Sequence, residues 1–117
     1  MSTSPTTDRG LAAEAMARDY LERRGLQTLH CNYRCKLGEV DLIMQDGEEL
    51  VFVEVRYRDS NSHGGAAATV TPAKQRRLIR TANHYLQRHG VDCPCRIDVV
   101  AIDGDHLDWL ISAIEEC

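Results

Sequence analysis

No stretch of this sequence approaches the ~20 consecutive apolar residues that a membrane-spanning helix needs, so a helical membrane protein is excluded and no membrane partner is expected. Met1 to Gly10 lacks the apolar run of a secretory leader, its first apolar residues being dispersed among charges. A disulfide framework has little support: five cysteines make an odd count, and the expectation is free thiols in a reducing, cytoplasmic compartment. Zinc-knuckle spacing is absent as well, since Cys31 with Cys35 and Cys93 with Cys95 give C-x₃-C and C-x-C. His30, His63, His84, His89 and His106 include no i, i+4 metal pair and no neighbouring nucleophile, which removes a hydrolytic triad. Internal repeats and domain linkers are missing too.

What remains is a chain of 117 residues, 43% hydrophobic and 27% charged, which fits one compact domain over residues 1–117 with Met1 to Thr7 a flexible Ser/Thr/Pro-rich terminus. The formal net charge of -4 argues against a positively coated surface for indiscriminate nucleic-acid binding. That average hides an asymmetry. After Arg96 there is no Lys or Arg, only Asp98, Asp103, Asp105, Asp108, Glu115 and Glu116, whereas Lys74, Arg76, Arg77, Arg80 and Arg88 crowd one segment. The pattern predicts a basic element on an acidic body.

Asp8 is placed to cap a helix carrying Leu11, Ala12, Ala15, Met16 and Leu21 at helical spacing, and Gly25 is its natural stop. Gln27 to Arg34 reads as a modest strand, Glu39 to Gln45 as an alternating one, and Asp46-Gly47-Glu48 as a hairpin turn. Glu49 to Tyr57 is nearly continuous in β-branched and aromatic residues and predicts a central strand, with Tyr57 in the core. Arg58 to Thr71, holding Asn61, Ser62, His63, Gly64 and Gly65, is long enough to be a functional loop. Thr71 and Pro72 form the cap and first turn of a second helix, whose apolar stripe runs through Leu78, Ile79, Ala82, Tyr85 and Leu86 to a stop at Gly90. A strand at Arg96 to Ile102 and a short apolar segment at Leu107 to Ile111 complete an α/β order of helix, three strands, helix, two strands.

Charges interrupt the central hairpin at telling positions. With Gly47-Glu48 as a two-residue type II′ turn, Asp46 pairs with Glu49, and counting outward sets Asp41 opposite Glu54 and Glu39 opposite Arg56. Period-two geometry then puts Glu39 and Asp41 on one face, matched by Glu54, Arg56 and Arg58. Directly opposed Cβ atoms are about 4.5–5.5 Å apart. Two unit charges ~4 Å apart repel by roughly 4 kcal/mol at the dielectric typical near a protein surface. A divalent cation between them would reverse that sign, and oxygen-only donors favour magnesium or manganese. The plain alternative is a solvated face of alternating charges, the commoner case for an arbitrary hairpin.

The segment GEVDLIMQDGEELVFVEVRYR resembles the central signature of the YraN family, a branch of the PD-(D/E)XK nuclease superfamily related to archaeal Holliday junction resolvases. The likeness extends to the helix with Glu14, the Cys31-Asn32-Tyr33-Arg34 strand, the Gly64-Gly65-Ala66-Ala67-Ala68 loop, Lys74, and Cys95-Arg96-Ile97-Asp98-Val99-Val100. It implies a restriction-endonuclease-like αβββαβ core with a mixed central sheet flanked by helices. It also implies metal-dependent hydrolysis of phosphodiester bonds in structured or branched DNA, with magnesium or manganese as cofactor.

By that resemblance Asp41 and Glu54 are the catalytic, metal-binding acids, the Val55 carbonyl is a further ligand, and Glu14 is an acid that the first helix adds. A lone helical Glu suits a surface or capping role equally well. Arg56 stands where the superfamily has lysine, and a side-chain pKa of ~12.5 or higher bars it from acting as a general base. Holding the phosphate or neutralising transition-state charge remains open to it, with a salt bridge to Glu39 as the alternative. Arg58, Lys74 and Arg77 would meet the sugar-phosphate backbone, although solvated charges are the commoner explanation of such residues. A symmetric junction substrate would suit a homodimer. The competing class is a non-catalytic nucleic-acid-binding or protein-interaction module on the same scaffold, favoured by Arg56 and the negative charge. Nothing in the sequence separates DNA from RNA as the target.

Overall fold

Turn and cap chemistry set the boundaries of the elements. The computed structural model describes residues 8–58 and 65–114, and in chain order these form α1 (Asp8–Arg23), β1 (Gln27–Cys35), β2 (Gly38–Asp46), β3 (Glu49–Arg58), a 3-10 turn (Ala67–Thr69), α2 (Pro72–Arg88), β4 (Cys95–Asp103) and β5 (His106–Ile114). Helix α1 stops because Gly25, at φ 99°, turns the chain so that Leu26 N–H donates back to the Leu21 carbonyl at 3.1 Å. Helix α2 starts where the Thr71 hydroxyl accepts the Lys74 N–H at 3.3 Å and Pro72 occupies the first turn. Strand β5 runs past the expected Ile111 to Ile114. Its left-handed Ser112, at φ 53°, returns Ile114 to the core, a backbone irregularity that no hydrophobic pattern announces. Of the suspected loop, Asn61, Ser62, His63 and Gly64 lie outside the described residues.

The five strands form one sheet in the order β1-β2-β3-β4-β5, with β3 and β4 parallel and every other pair antiparallel. A parallel pair needs a crossover, and α2 supplies it. Strand β3 is central as expected. On one face Val51 and Val53 pack with Ala17 and Leu21 of α1, and on the other Phe52 packs with Leu78, Ala82 and Tyr85 of α2. Tyr57 is partly buried against the α1 cluster. The architecture is thus α/β, a mixed sheet flanked by two helices and compatible with a restriction-endonuclease-like core. No helix among the described residues is long and apolar enough to cross a membrane.

Two expectations need correction. Cys31, Cys35 and Cys93 are free thiols, but Cys95 is disulfide-bonded. Bridging depends on how close two Cβ atoms come in the fold, which spacing along the chain does not set. Asp98, counted above with the acidic body, is fully buried. It accepts from Arg96 Nε at 3.1 and 3.2 Å, from Trp109 Nε1 at 2.9 Å and from Ser112 N–H at 2.9 Å. Arg96 also donates to Glu49 at 2.7 Å and Asp46 at 3.0 Å, so this network clamps the β2–β3 turn to β4 and β5.

Candidate functional site

The β2–β3 register is the one that the Gly47-Glu48 turn dictates: Asp46 pairs with Glu49, and the ladder continues to Leu42 with Val53. One more step sets Asp41 against Glu54. Here the two strands part, and a side chain replaces the backbone as acceptor: Asp41 Oδ2 takes the Val55 N–H at 2.8 Å. Strict alternation also breaks at this point, because Val40 joins Ile43 in the cluster beneath α2 although the two lie an odd three positions apart. In an extended strand the N–H and C=O of one residue point the same way. The Val55 carbonyl therefore faces the same opening as its N–H.

Asp41 and Glu54 lie in a cavity of about 600 Å³ whose lining also includes Glu14, Glu39, Arg34, Arg56, Lys74 and Arg77. Burial, then the charge of Glu54, pushes the Asp41 carboxyl well above its ordinary range. Burial also raises Glu54, with Arg56 acting against it. The two acids are close enough to hydrogen-bond, an arrangement that favours a proton held between them. Glu14 reaches the cavity from α1, where burial and then the Asp41 charge push it up to about 7.

The structure brings together most residues that the sequence singled out. Asp41, Glu54, Val55, Arg56, Glu14, Glu39, Lys74 and Arg77 all line the cavity, whereas Arg58 does not: it is exposed at the end of β3. The pairing proposed between Glu39 and Arg56 is replaced by two others. Glu39 lies 3.6 Å from Arg34 across the β1–β2 ladder. Arg56 Nη1 donates to Glu54 at 3.1 Å and its Nε to the Thr69 hydroxyl at 2.7 Å. The cause is the parting of β2 and β3, which draws Glu39 away from Arg56.

Two residues, Thr69 and Asn32, are given no part in the site by the sequence. Thr69 donates to the Ala66 carbonyl at 2.6 Å while accepting from Arg56, and Ala66 N–H is itself held by Asp103 at 2.7 Å. The described end of the loop thus orients the guanidinium. The β1–β2 register, Cys31 with Leu42 and Tyr33 with Val40, sets Asn32 opposite Asp41. Asn32 has φ 55°, hydrogen-bonds Glu14, and keeps a buried Oδ1 with no partner among the described residues. An Asn inside a strand is disfavoured, and that was the available signal.

The family model described as uncharacterised protein family UPF0102 matches residues 13–102, which include every cavity residue named above. The chain belongs to that family. A UPF0102 protein of Herminiimonas arsenicoxydans is 54% identical over 106 residues, covering 91% of this chain and 86% of the relative. One from Nitrosomonas eutropha is 49% identical over 114 residues, covering 97% and 98%. UPF0102 is the group that the YraN resemblance pointed to, a PD-(D/E)XK nuclease-like family.

The UPF0102 donor set can be tested against a hard divalent ion. Among the described residues no three His, Cys, Asp or Glu side chains gather closely enough to hold an ion alone. That is tolerable for magnesium, which keeps several waters and takes one or two carboxylates together with substrate phosphate. Asp41, Glu54 and the Val55 carbonyl offer hard oxygens at one opening, and the unpartnered Asn32 Oδ1 lies beside the Glu14 carboxylate. The donors fit such an ion.

Proposed function

We propose that this UPF0102 protein is a magnesium- or manganese-dependent endonuclease acting on structured or branched DNA. The observation that carries the reading is the convergence of Asp41 and Glu54 where β2 and β3 part, two carboxylates that repel unless a proton or a cation lies between them. Asp41 and Glu54 hold the ion with the Val55 carbonyl. Bound there, it would supply charge to polarise a phosphate oxygen and acidify a water. Arg56, fixed by Thr69 and Glu54, turns the rest of its donor fork to the scissile phosphate, where developing charge is stabilised by a group that needs no reorganisation. Lys74 and Arg77 meet neighbouring phosphates from the cavity wall. Branched substrates suit a short cavity open at the surface, and a symmetric junction would be met by two copies of the chain.

A second reading has its own observation. Arg56 occupies the place of the motif lysine and is ion-paired to Glu54, which lets a guanidinium compete with the cation for that carboxylate. A scaffold so neutralised would bind nucleic acid without cutting it. Purified protein with manganese, offered junction, flap and single-stranded DNA and matching RNA, separates the two. Cleavage that disappears in Asp41→Asn supports the enzyme, and binding without cleavage supports the second reading. Wild-type inactivity on the whole panel, or cleavage unchanged in Asp41→Asn, overturns the first.

A further inference from the structure

A second cavity, of about 660 Å³, adjoins the acidic one and shares Arg34 and Cys35 with it. Its lining includes Arg34, Lys36, Arg88, His84 and Tyr33 and, among the described residues, contains no Asp or Glu. In a chain of formal net charge -4, a concavity that collects three cations and no carboxylate among the described residues is a marked local excess of positive charge.

The arrangement follows from α2. Lys74, Arg77, Thr81, His84 and Arg88 recur at alternating three- and four-residue spacing and so share one stripe of the helix. Several contacts show that this stripe faces β1, β2 and the acidic site. Lys74 acts on Glu54, a Cβ built on Gly38 would meet Arg77 at 2.7 Å and Thr81 at 2.8 Å, and His84 Nδ1 is 2.9 Å from the Tyr33 hydroxyl. From Lys74 to Arg88 the stripe is roughly 21 Å long at ~1.5 Å per residue. Phosphates along one strand of a duplex recur every ~3.4 Å of axis, so several fall within its length. Arg34 and Lys36, at the β1–β2 turn, form the opposite bank.

We infer that the second cavity is a backbone-binding subsite of the same nucleic-acid groove, in which Lys36 and Arg88, with Arg34, hold phosphates of a strand several nucleotides from the Asp41–Glu54 pair. This rests on the reading of the protein as acting on nucleic acid, and it assigns the direction in which the strand leaves the acidic cavity: along α2 toward its C-terminus. Arg34, the charged residue common to both cavities, keeps a 3.6 Å contact with Glu39 on the acidic side. The chemistry recognised is the phosphodiester chain, with no base code.

The test measures binding apart from cleavage. A labelled four-way DNA junction is titrated in EDTA at several salt concentrations against wild type, a Lys36→Ala, Arg88→Ala double variant and an Arg23→Ala, Arg76→Ala control. The control removes the same charge from exposed positions outside both cavities. The Lys36, Arg88 variant is expected to bind roughly tenfold or more weakly, with a log-affinity against log-salt slope shallower by about 1.4–1.8, or ~0.7–0.9 per lost contact. The control should keep the wild-type slope. An unchanged slope in the test pair, or equal loss in the control, overturns the subsite while leaving the nuclease reading intact. A changed slope with no cleavage in manganese keeps the subsite and removes the nuclease reading. A wild type that binds no junction overturns the subsite, and the manganese cleavage panel then decides the nuclease reading by itself.

Discussion

Arg96 and His106 show how differently one charged residue can weigh depending on where its partner sits. Arg96 is mostly buried and bonds three acids, one of them the fully buried Asp98, whereas His106 meets Asp108 at 3.1 Å with both side chains in solvent. Removing one partner of a buried pair strands an uncompensated charge and costs ~3–5 kcal/mol. Exposed pairs are worth ~0–1 kcal/mol. Arg96→Ala should therefore lower the urea stability of the protein by about 3 kcal/mol or more, through loss of the clamp between the β2–β3 turn and the last two strands. Asp108→Ala should stay within about 0.5 kcal/mol of wild type. Equal effects from the two substitutions would mean that the Arg96 network is not the clamp described.

At the scale of elements, the close approach of α2 to the start of β2 fixes the cavity wall. Gly38 has φ 154°, and an added Cβ would meet Arg77 Cγ at 2.7 Å and Thr81 Oγ1 at 2.8 Å. Thr81 is fully buried and its hydroxyl donates to the Arg77 carbonyl at 2.8 Å, so it has little room to yield. Gly38→Ala should cost ~1–3 kcal/mol, the usual range for overpacking, and should displace Arg77 and weaken junction binding to about the extent expected of Arg77→Ala. Combining it with Thr81→Ala should restore part of the lost stability in urea, and no shift in the single variant would refute the contact. The same region shows what was legible in the sequence. The hairpin register was readable because turn length fixes it, and that alone brought Asp41 to Glu54. Cap chemistry likewise announced the end of α1 and the start of α2. The pairing of Arg56 with Thr69 and of Glu39 with Arg34, and the role of Asn32, were hidden because they depend on where the strands part and on left-handed backbone. Neither property has a period in the sequence.

For the molecule as a whole, the acidic cavity makes stability depend on pH in an unusual direction. Glu14, Asp41 and Glu54 are all raised by burial, Glu14 to about 7 and Asp41 also by its neighbour's charge. In the unfolded chain such carboxyls titrate near ~4, so between about 4 and 7 the folded state holds more protons than the unfolded one. Their contribution is complete below the unfolded range and is lost as pH rises through the folded values. Without divalent cations, the protein should be less stable toward urea at pH 8 than at pH 5. Asp41→Asn should flatten that dependence and be the more stable protein at pH 8, because it removes a buried charge and keeps the shape. Manganese should act in the opposite sense, because the proposed site takes it on the deprotonated pair: at ~100 times its Kd it would add ~2.7 kcal/mol at pH 8, far less at pH 5, and nothing in Asp41→Asn. If manganese stabilised both proteins equally at pH 8, the ion would be binding elsewhere, and the convergence of Asp41 and Glu54 would be a proton-sharing pair with no metal function.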